Sequence, residues 1–371
     1  MSGATQLIET VLREADVRIN GDRPWDIHVK DERFYAAVVR GRSLGFGEAY
    51  MAGWWDCERI DELTSKLFVS DIGGRFRLTP ANVLLGVRAF FESGGTRRNA
   101  FKVGEHHYNI GNDLFSRMLD KRMVYTCGYW RNAKNLDEAQ EAKLDLVCKK
   151  LGLRAGQKVL DIGCGWGSFA KFAAEKYGAH VTGVTVSKEQ AALGKELCTG
   201  LPVVFELKDY RDVRGRFDHI VSLGMFEHVG YKHYRTYMQV VHDHLKDDGL
   251  FLLHTIGNNY STNYTDPWIR KYIFPGGMLP SVVQVGKAVE KLFVIEDWQN
   301  FGADYDRTLM AWFANFDRHW PEIRSHYGDG FYRMWKFYLM VTAGSFRARD
   351  IQLWQVVLSK KGVSGGYLSV R

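Results

Sequence analysis

Val159-Leu160-Asp161-Ile162-Gly163-Cys164-Gly165-Trp166-Gly167-Ser168 is the stretch whose reading decides the fold. The four residues 159–162 read as a short buried strand, the alternate glycines as a tight turn, and Ser168 to Tyr177 as the helix that follows. Glycines so placed let the backbone pass close to a ligand at the carboxyl end of a sheet. Working outward, His180–Thr185 reads as the next strand and 188–198 as the next helix. Val203–Leu207, 219–222 and 250–254 continue the series, and 293–298 and 353–359 are late strands flanking a Trp/Phe/Tyr-rich helical region. Strands and helices alternating in this order predict an α/β fold, Rossmann-like, with a doubly wound, mostly parallel sheet.

The turn has the spacing GxGxG after an aspartate, not the GxGxxG that accommodates a pyrophosphate. A tighter loop of this kind suits the small aminocarboxypropyl arm of S-adenosylmethionine; a purely structural strand–helix turn is the plainer alternative. A dinucleotide enzyme closes its second strand with an acid that binds ribose. Here that strand runs VTGVTVSKEQ (181–190) with no acid at its end, which argues against NAD. Thr185 and Gln190 are the polar groups available there. Asp209 and Tyr210, after the third strand, can hold and stack an adenine, although Tyr210 alone also reads as a core residue.

At 371 residues the chain is long enough for two domains. Gly94-Gly95 suggests a boundary, with a smaller, mainly helical domain over 1–95 and a catalytic domain over 96–371. The five cysteines form no CxxC pair and no His-interleaved spacing, which points to reduced thiols and no metal site. The N-terminus shows no apolar signal region, and no run approaches the ~18 apolar residues of a membrane span. The net charge of +7 suits nucleic acid or anionic lipid equally. Its distribution is more telling: residues 75–102 hold six Lys/Arg and one Asp/Glu, interleaved with Leu84, Leu85, Val87, Phe90 and Phe91. That stretch reads as a solvated linker helix or as a basic amphipathic helix on a lipid surface.

Seven motifs, the glycine turn among them, fall in one order: EHHYNIGNDLF (105–115), VYTCGYW (124–130), VLDIGCGWGS (159–168), SLGMFEHVG (222–230), LLHTIG (252–257), FGADYD (301–306) and SFRARDIQLWQVV (345–357). In these the chain resembles the bacterial cyclopropane-fatty-acyl-phospholipid synthases over nearly its whole length. Over about residues 100–360 it is similar to the mycolic acid cyclopropane synthases. The resemblance implies an S-adenosylmethionine-dependent methyltransferase fold, with cofactor contacts at Tyr125, Thr126, Gly163, Gly165, Thr185, Gln190, Asp209 and Tyr210. Thr126 stands where many members carry serine, which preserves the hydroxyl. The resemblance further implies a bicarbonate ion held by Cys127, Glu227, His254, the backbone of Ile256, and Tyr305.

The implied reaction adds a methylene group to the cis double bond of an acyl chain in a membrane phospholipid, through a carbocation. Tyr264, Trp268, Tyr305 and Trp312 are candidates for rings facing that cation, at ~0.5–2 kcal/mol each, though plain packing explains most such aromatics. A bound anion suits the role of base, because a charged side chain among lipid tails is costly. Cys127 reads as a neutral liner of the anion site, since no acyl-enzyme is needed; a thiol nucleophile is the alternative. Glu227 could instead cap a helix, and His254 could be a structural strand-end histidine. The expected setting is cytoplasmic, peripheral to the inner face of the cell membrane, with unsaturated phospholipids as partners and no nucleic acid; a homodimer is left open. C-methylation of acyl chains and a non-catalytic lipid- or cofactor-binding module are the competing functions.

Overall fold

In the computed structural model, residues 3–70 and 111–371 are described. The boundary at Gly94-Gly95 and the basic stretch 75–102 lie outside the described residues. In chain order the helices and strands begin with α1 (Gly3–Glu14), β1 (His28–Val29), α2 (Arg33–Gly41), α3 (Ser43–Met51), β2 (Trp55–Asp56) and α4 (Ile60–Val69). They continue with α5 (Asn112–Met118), α6 (Leu136–Lys150), β3 (Lys158–Ile162), α7 (Ser168–Tyr177), β4 (His180–Thr185), α8 (Lys188–Leu197), β5 (Val203–Leu207) and β6 (Phe217–Leu223). The remainder is α9 (Tyr234–His244), β7 (Leu245–Asn258), α10 (Pro267–Tyr272), α11 (Val282–Val289), β8 (Val294–Asn300), α12 (Ala303–Tyr327), α13 (Asp329–Arg347) and β9 (Ile351–Ser359).

Two compact units divide the chain, and they interleave it. The first gathers the described N-terminal residues with Tyr264–Pro275 and Tyr305–Ile351. The second holds the described residues from 111 to 263, then Gly276–Asp304 and Gln352–Arg371.

The second unit carries a seven-stranded sheet in the order β5-β4-β3-β6-β7-β9-β8. β5, β4, β3, β6 and β7 run parallel, and β8 pairs antiparallel with β9. The strand order reverses between β3 and β6, which is where ligands bind in open α/β sheets. Both sheet faces are covered, and alternate residues of each strand serve opposite faces. Leu160, Phe251, Leu253, Val356 and Leu358 pack with Tyr237, Met238 and Val241 of α9 and Val285 of α11. Val159, Leu250, Leu252 and Val357 pack on the other side with Leu144 and Val147 of α6 and Phe169 and Ala173 of α7. Each such side chain contributes ~1.5–3 kcal/mol on burial. β7 is longer than the apolar run 250–254 predicts, because it also carries the turn-like Lys246–Gly249 segment through a register shift between Phe217 and His219 of its neighbour.

The first unit is helical, apart from the β1–β2 ladder. At its centre the buried Asp61 takes Arg347 at 2.7 Å and Arg59 at 2.9 Å, while Arg347 also holds Asp306 at 2.9 Å. Burial alone would raise the Asp61 carboxyl; the two guanidiniums pull it below its ordinary value.

Candidate active site

The glycine turn leaves β3 at the point where strand order reverses. Gly163 and Cys164 both donate their N–H to Val184 O of β4, at 2.9 and 3.1 Å. Gly163, Gly165 and Gly167 have φ of +82°, +56° and +84°, a region L side chains rarely adopt. A Cβ on Gly163 would lie 2.6 Å from Cβ of Met225, and one on Gly167 would strike Phe205. A Cβ on Gly165 would meet nothing within 4 Å. Gly163 therefore permits close packing against the loop after β6, whereas Gly165 faces open room at the carboxyl end of the sheet. This is the place at which the glycine spacing predicts a ligand. In the strand leading to it, Asp161 is buried, and its Oδ1 has no partner among the described residues. Burial lifts this carboxyl to about 7, with Lys143 pulling it back.

At the end of β4, Thr185 Oγ1 and Gln190 Oε1 are 3.0 Å apart, and Ser187 caps α8 by accepting from Gln190 N. Thr185 and Gln190 thus sit together, both buried. Asp209 and Tyr210 are placed differently from a free adenine clamp. Both Asp209 oxygens take Arg211, at 2.7 Å each, and Oδ1 also caps the short turn that follows. Tyr210 lies in the core with its ring 5.0 Å from Tyr237.

The segment 124–130 is tied down from several sides. Asp304 accepts from Trp130 N at 2.7 Å, which joins the VYTCGYW and FGADYD motifs. Asp120 accepts from Val124 N at 2.8 Å and Arg122 N at 2.9 Å, and burial raises its carboxyl to about 6. Tyr125 packs edge-on to Phe115 at 5.1 Å. Cys127 is fully buried, and its Sγ contacts Gly128 O at 3.1 Å. Thr126 receives two groups from α6: Gln140 Nε2 on its carbonyl and Lys143 Nζ on its Oγ1, both at 2.7 Å. Its methyl lies where a Cβ on Gly224, just after β6, would come within 2.7 Å. Sequence reading passed over Gln140 and Lys143; the available signal was two polar residues three apart on a helix face otherwise lined by Leu136, Ala139, Leu144 and Val147.

Glu227 and His254 come together at the ends of β6 and β7. Leu223 is in register with His254, and Gly224 N donates to His254 O at 2.9 Å. Glu227 Oε1 accepts from Ile256 N at 2.7 Å. The Ile256 N–H expected to serve an anion is thus engaged by Glu227 in this state. Glu227 Oε2 and His254 Nε2 are buried and have no partner among the described residues. An unsatisfied buried polar atom costs ~1–3 kcal/mol, which marks both atoms as candidates for a ligand contact. Burial raises the Glu227 carboxyl to about 7, opposed by the Ile256 N–H. Burial also holds His254 well below its ordinary value, so the ring is neutral. Gln355 Nε2 lies 3.3 Å from His254 Nδ1. With the amide donating, the imidazole proton sits on Nε2, which becomes a donor.

Tyr305 belongs to the first unit, buried against Phe346 at 4.6 Å and edge-on to Trp312 at 5.9 Å. Trp268 and Trp312 are fully buried in that unit, Trp268 against Phe337, whereas Tyr264 is exposed. Among the described residues no helix is long and apolar enough to cross a membrane.

Residues 96–356 match the family model described as mycolic acid cyclopropane synthetase. The cyclopropane-fatty-acyl-phospholipid synthase of Escherichia coli (strain K12) is 50% identical over 363 residues, covering 97% of this chain and 94% of that protein. Among solved structures, the cyclopropane synthase MmaA2 from Mycobacterium tuberculosis aligns with a TM-score of 0.67 at 32% identity, over 70% of this chain and 98% of its own. The mycolic acid cyclopropane synthase CmaA1 complexed with SAH and CTAB aligns with a TM-score of 0.66 at 32% identity, with the same coverage. The sheet described above is the Rossmann-like methyltransferase fold of those structures. With the glycine cradle, the strand order and the ordered motifs all in agreement, the chain is an enzyme of the cyclopropane-fatty-acyl-phospholipid synthase family, related to the mycolic acid cyclopropane synthases.

Proposed function

We propose that this enzyme transfers a methylene group from S-adenosylmethionine to the cis double bond of unsaturated acyl chains in membrane phospholipids, leaving a cyclopropane ring. The observation that carries the reading is that Glu227 Oε2 and His254 Nε2 are buried without partners among the described residues, at the same carboxyl end of the parallel sheet as the glycine turn. The alkene π pair forms a bond to the sulfonium methyl as the carbon–sulfur bond breaks, and S-adenosylhomocysteine departs. The second alkene carbon is left cationic. A proton then leaves the new methyl group, and its bonding pair closes the ring.

The chain's own residues prepare for this sequence in three ways. Gly165 leaves room for the methyl donor at the end of β3, and Thr185 and Gln190 present polar groups at the end of β4. Burial keeps water from capturing the cation. His254 Nε2 and a protonated Glu227 Oε2 both supply N–H or O–H donors, which suits a small anion better than a cation. Bicarbonate held by Cys127, Glu227, His254 and, after Glu227 shifts, Ile256 N–H would supply the base. A glutamate beside an anion is consistent with this, because its carboxyl is raised to about 7 and can carry the proton.

We further infer that residues 1–95 act as a membrane-associating domain, and that the basic stretch 75–102 brings the enzyme to anionic lipid. Incubating the protein with S-adenosylmethionine and vesicles of unsaturated phospholipid, followed by mass spectrometry and proton NMR of the lipids, tests the reaction. Gain of one CH2 unit with loss of alkene protons is expected. The same gain with alkene protons retained would mean C-methylation instead. Activity of a carbonate-depleted preparation should rise when bicarbonate is added; full activity without it would remove the anion from the mechanism.

A further inference from the structure

Three long polar side chains of α6 are buried, Gln140, Lys143 and Lys150, and the first two reach the same residue. Gln140 Nε2 donates to Thr126 O, and Lys143 Nζ donates to Thr126 Oγ1, each at 2.7 Å. The Lys143 side chain is 0% exposed. An ammonium in such a place is costly unless it is paired and hydrogen-bonded. It is compensated electrostatically by Asp120 and Asp161, the second of which stands near the end of the strand feeding the glycine turn. Thr126 lies so close to Gly224, and Met225 to Gly163, that a Cβ on either glycine would clash. A chain of contacts therefore runs from Lys143 through Thr126 and the loop after β6 to the cradle.

We propose that Lys143 is a positioning residue: its buried ammonium clamps the Thr126 hydroxyl and so fixes the 125–127 turn against the cofactor cradle, which sets the affinity for S-adenosylmethionine. The inference rests on the cofactor reading of that cradle. Loss of a lysine kept for stability alone would lower the melting temperature and leave the affinity of the folded chain unchanged. Removing one partner of a buried charged group takes the counter-charge from Asp120 and Asp161, so Lys143→Met should melt below the parent, and its binding is read at a temperature where melting shows it folded. The folded variant should nevertheless lose binding.

The test is calorimetric titration of the full chain with S-adenosylmethionine and with S-adenosylhomocysteine, alongside thermal melting. Lys143→Met and Thr126→Val should each weaken binding about tenfold or more on chains folded at the titration temperature, with a lower melting temperature for Lys143→Met. Thr126→Ser, which keeps the hydroxyl, should bind within about threefold of the parent. The double variant Lys143→Met/Thr126→Val should be no weaker than the poorer single, because both remove one contact. Lys143→Met binding like the parent would overturn the clamp, as would losses that multiply in the double variant. If Lys143→Met does not fold, Lys143→Gln decides in its place: it stays polar but is too short to reach the Thr126 hydroxyl as the lysine does, and it must lose affinity while Thr126→Ser keeps it; parent-like binding overturns the clamp. A parent chain that binds neither compound would instead overturn the cofactor reading, and the clamp with it.

Discussion

Replacing Glu227 by glutamine should change the pH dependence of stability in a direction that the burial of this carboxyl fixes. The substituted amide keeps the oxygen that accepts the Ile256 N–H and puts an NH2 where Oε2 now stands. It removes only the titration. The Glu227 carboxyl is raised from its ordinary 4.5 to about 7, first by burial, with the Ile256 N–H working against it. Below the ordinary value both folded and unfolded chains hold the proton, and the wild-type residue carries no penalty. As pH rises toward 7 the unfolded chain releases its proton before the folded one does, so stability falls; above 7 the loss is complete. At about 1.4 kcal/mol per unit, the advantage of Glu227→Gln over wild type should grow by about 2 to 3 kcal/mol between pH 5 and pH 8. Asp120 and Asp161 are also raised, to about 6 and about 7, but both proteins contain them and their effect cancels in the difference. Urea denaturation of both proteins at each pH, followed by tryptophan fluorescence, measures it. A separation that stays constant with pH, or that shrinks as pH rises, would refute the reasoning that burial holds the Glu227 carboxyl well above its ordinary value.

Three further outcomes are expected. Gly165→Val should weaken S-adenosylmethionine binding by more than tenfold in calorimetry, since a side chain would enter the open cradle from a backbone at φ +56°. Cys127→Ser should retain measurable cyclopropanation and show no acyl adduct by intact-mass spectrometry, because a small neutral group lining the site needs no thiolate. The triple reversal Arg88→Glu, Arg97→Glu and Arg98→Glu should cut co-sedimentation with anionic vesicles by well over tenfold at low salt and less at high salt, at roughly 1 kcal/mol per basic residue, leaving cofactor affinity unchanged.

The parts of this fold that could be read from the chain are those where local pattern and tertiary role coincide. β4, β5 and α7 begin and end where the short apolar runs and the glycine turn place them, even though β5, at the sheet edge, leaves Val204 and Leu207 exposed. The interleaving of the units is a different matter: Tyr264–Pro275 and Tyr305–Ile351 join the first unit through packing that no local period records. The same divide runs through the site. The sequence motifs single out Glu227 and His254 as residues, but they do not reveal that Ile256 N–H is spent on Glu227 or that Asp209 is spent on Arg211. Pairing of that kind depends on which atoms meet, and it decides what a side chain has left to offer a ligand. α6 shows the limit most sharply. The segment LDEAQEAKLDLVCKK is rich in charge, yet Gln140, Lys143 and Lys150 are all buried. A buried lysine is so rare that composition argues against it, and only the tertiary meeting with Thr126, Asp120 and Asp161 makes Lys143 tolerable. The residue least legible in the sequence is therefore the one whose retention most needs a function, and that is the reason to seek it at the cofactor cradle rather than in the fold.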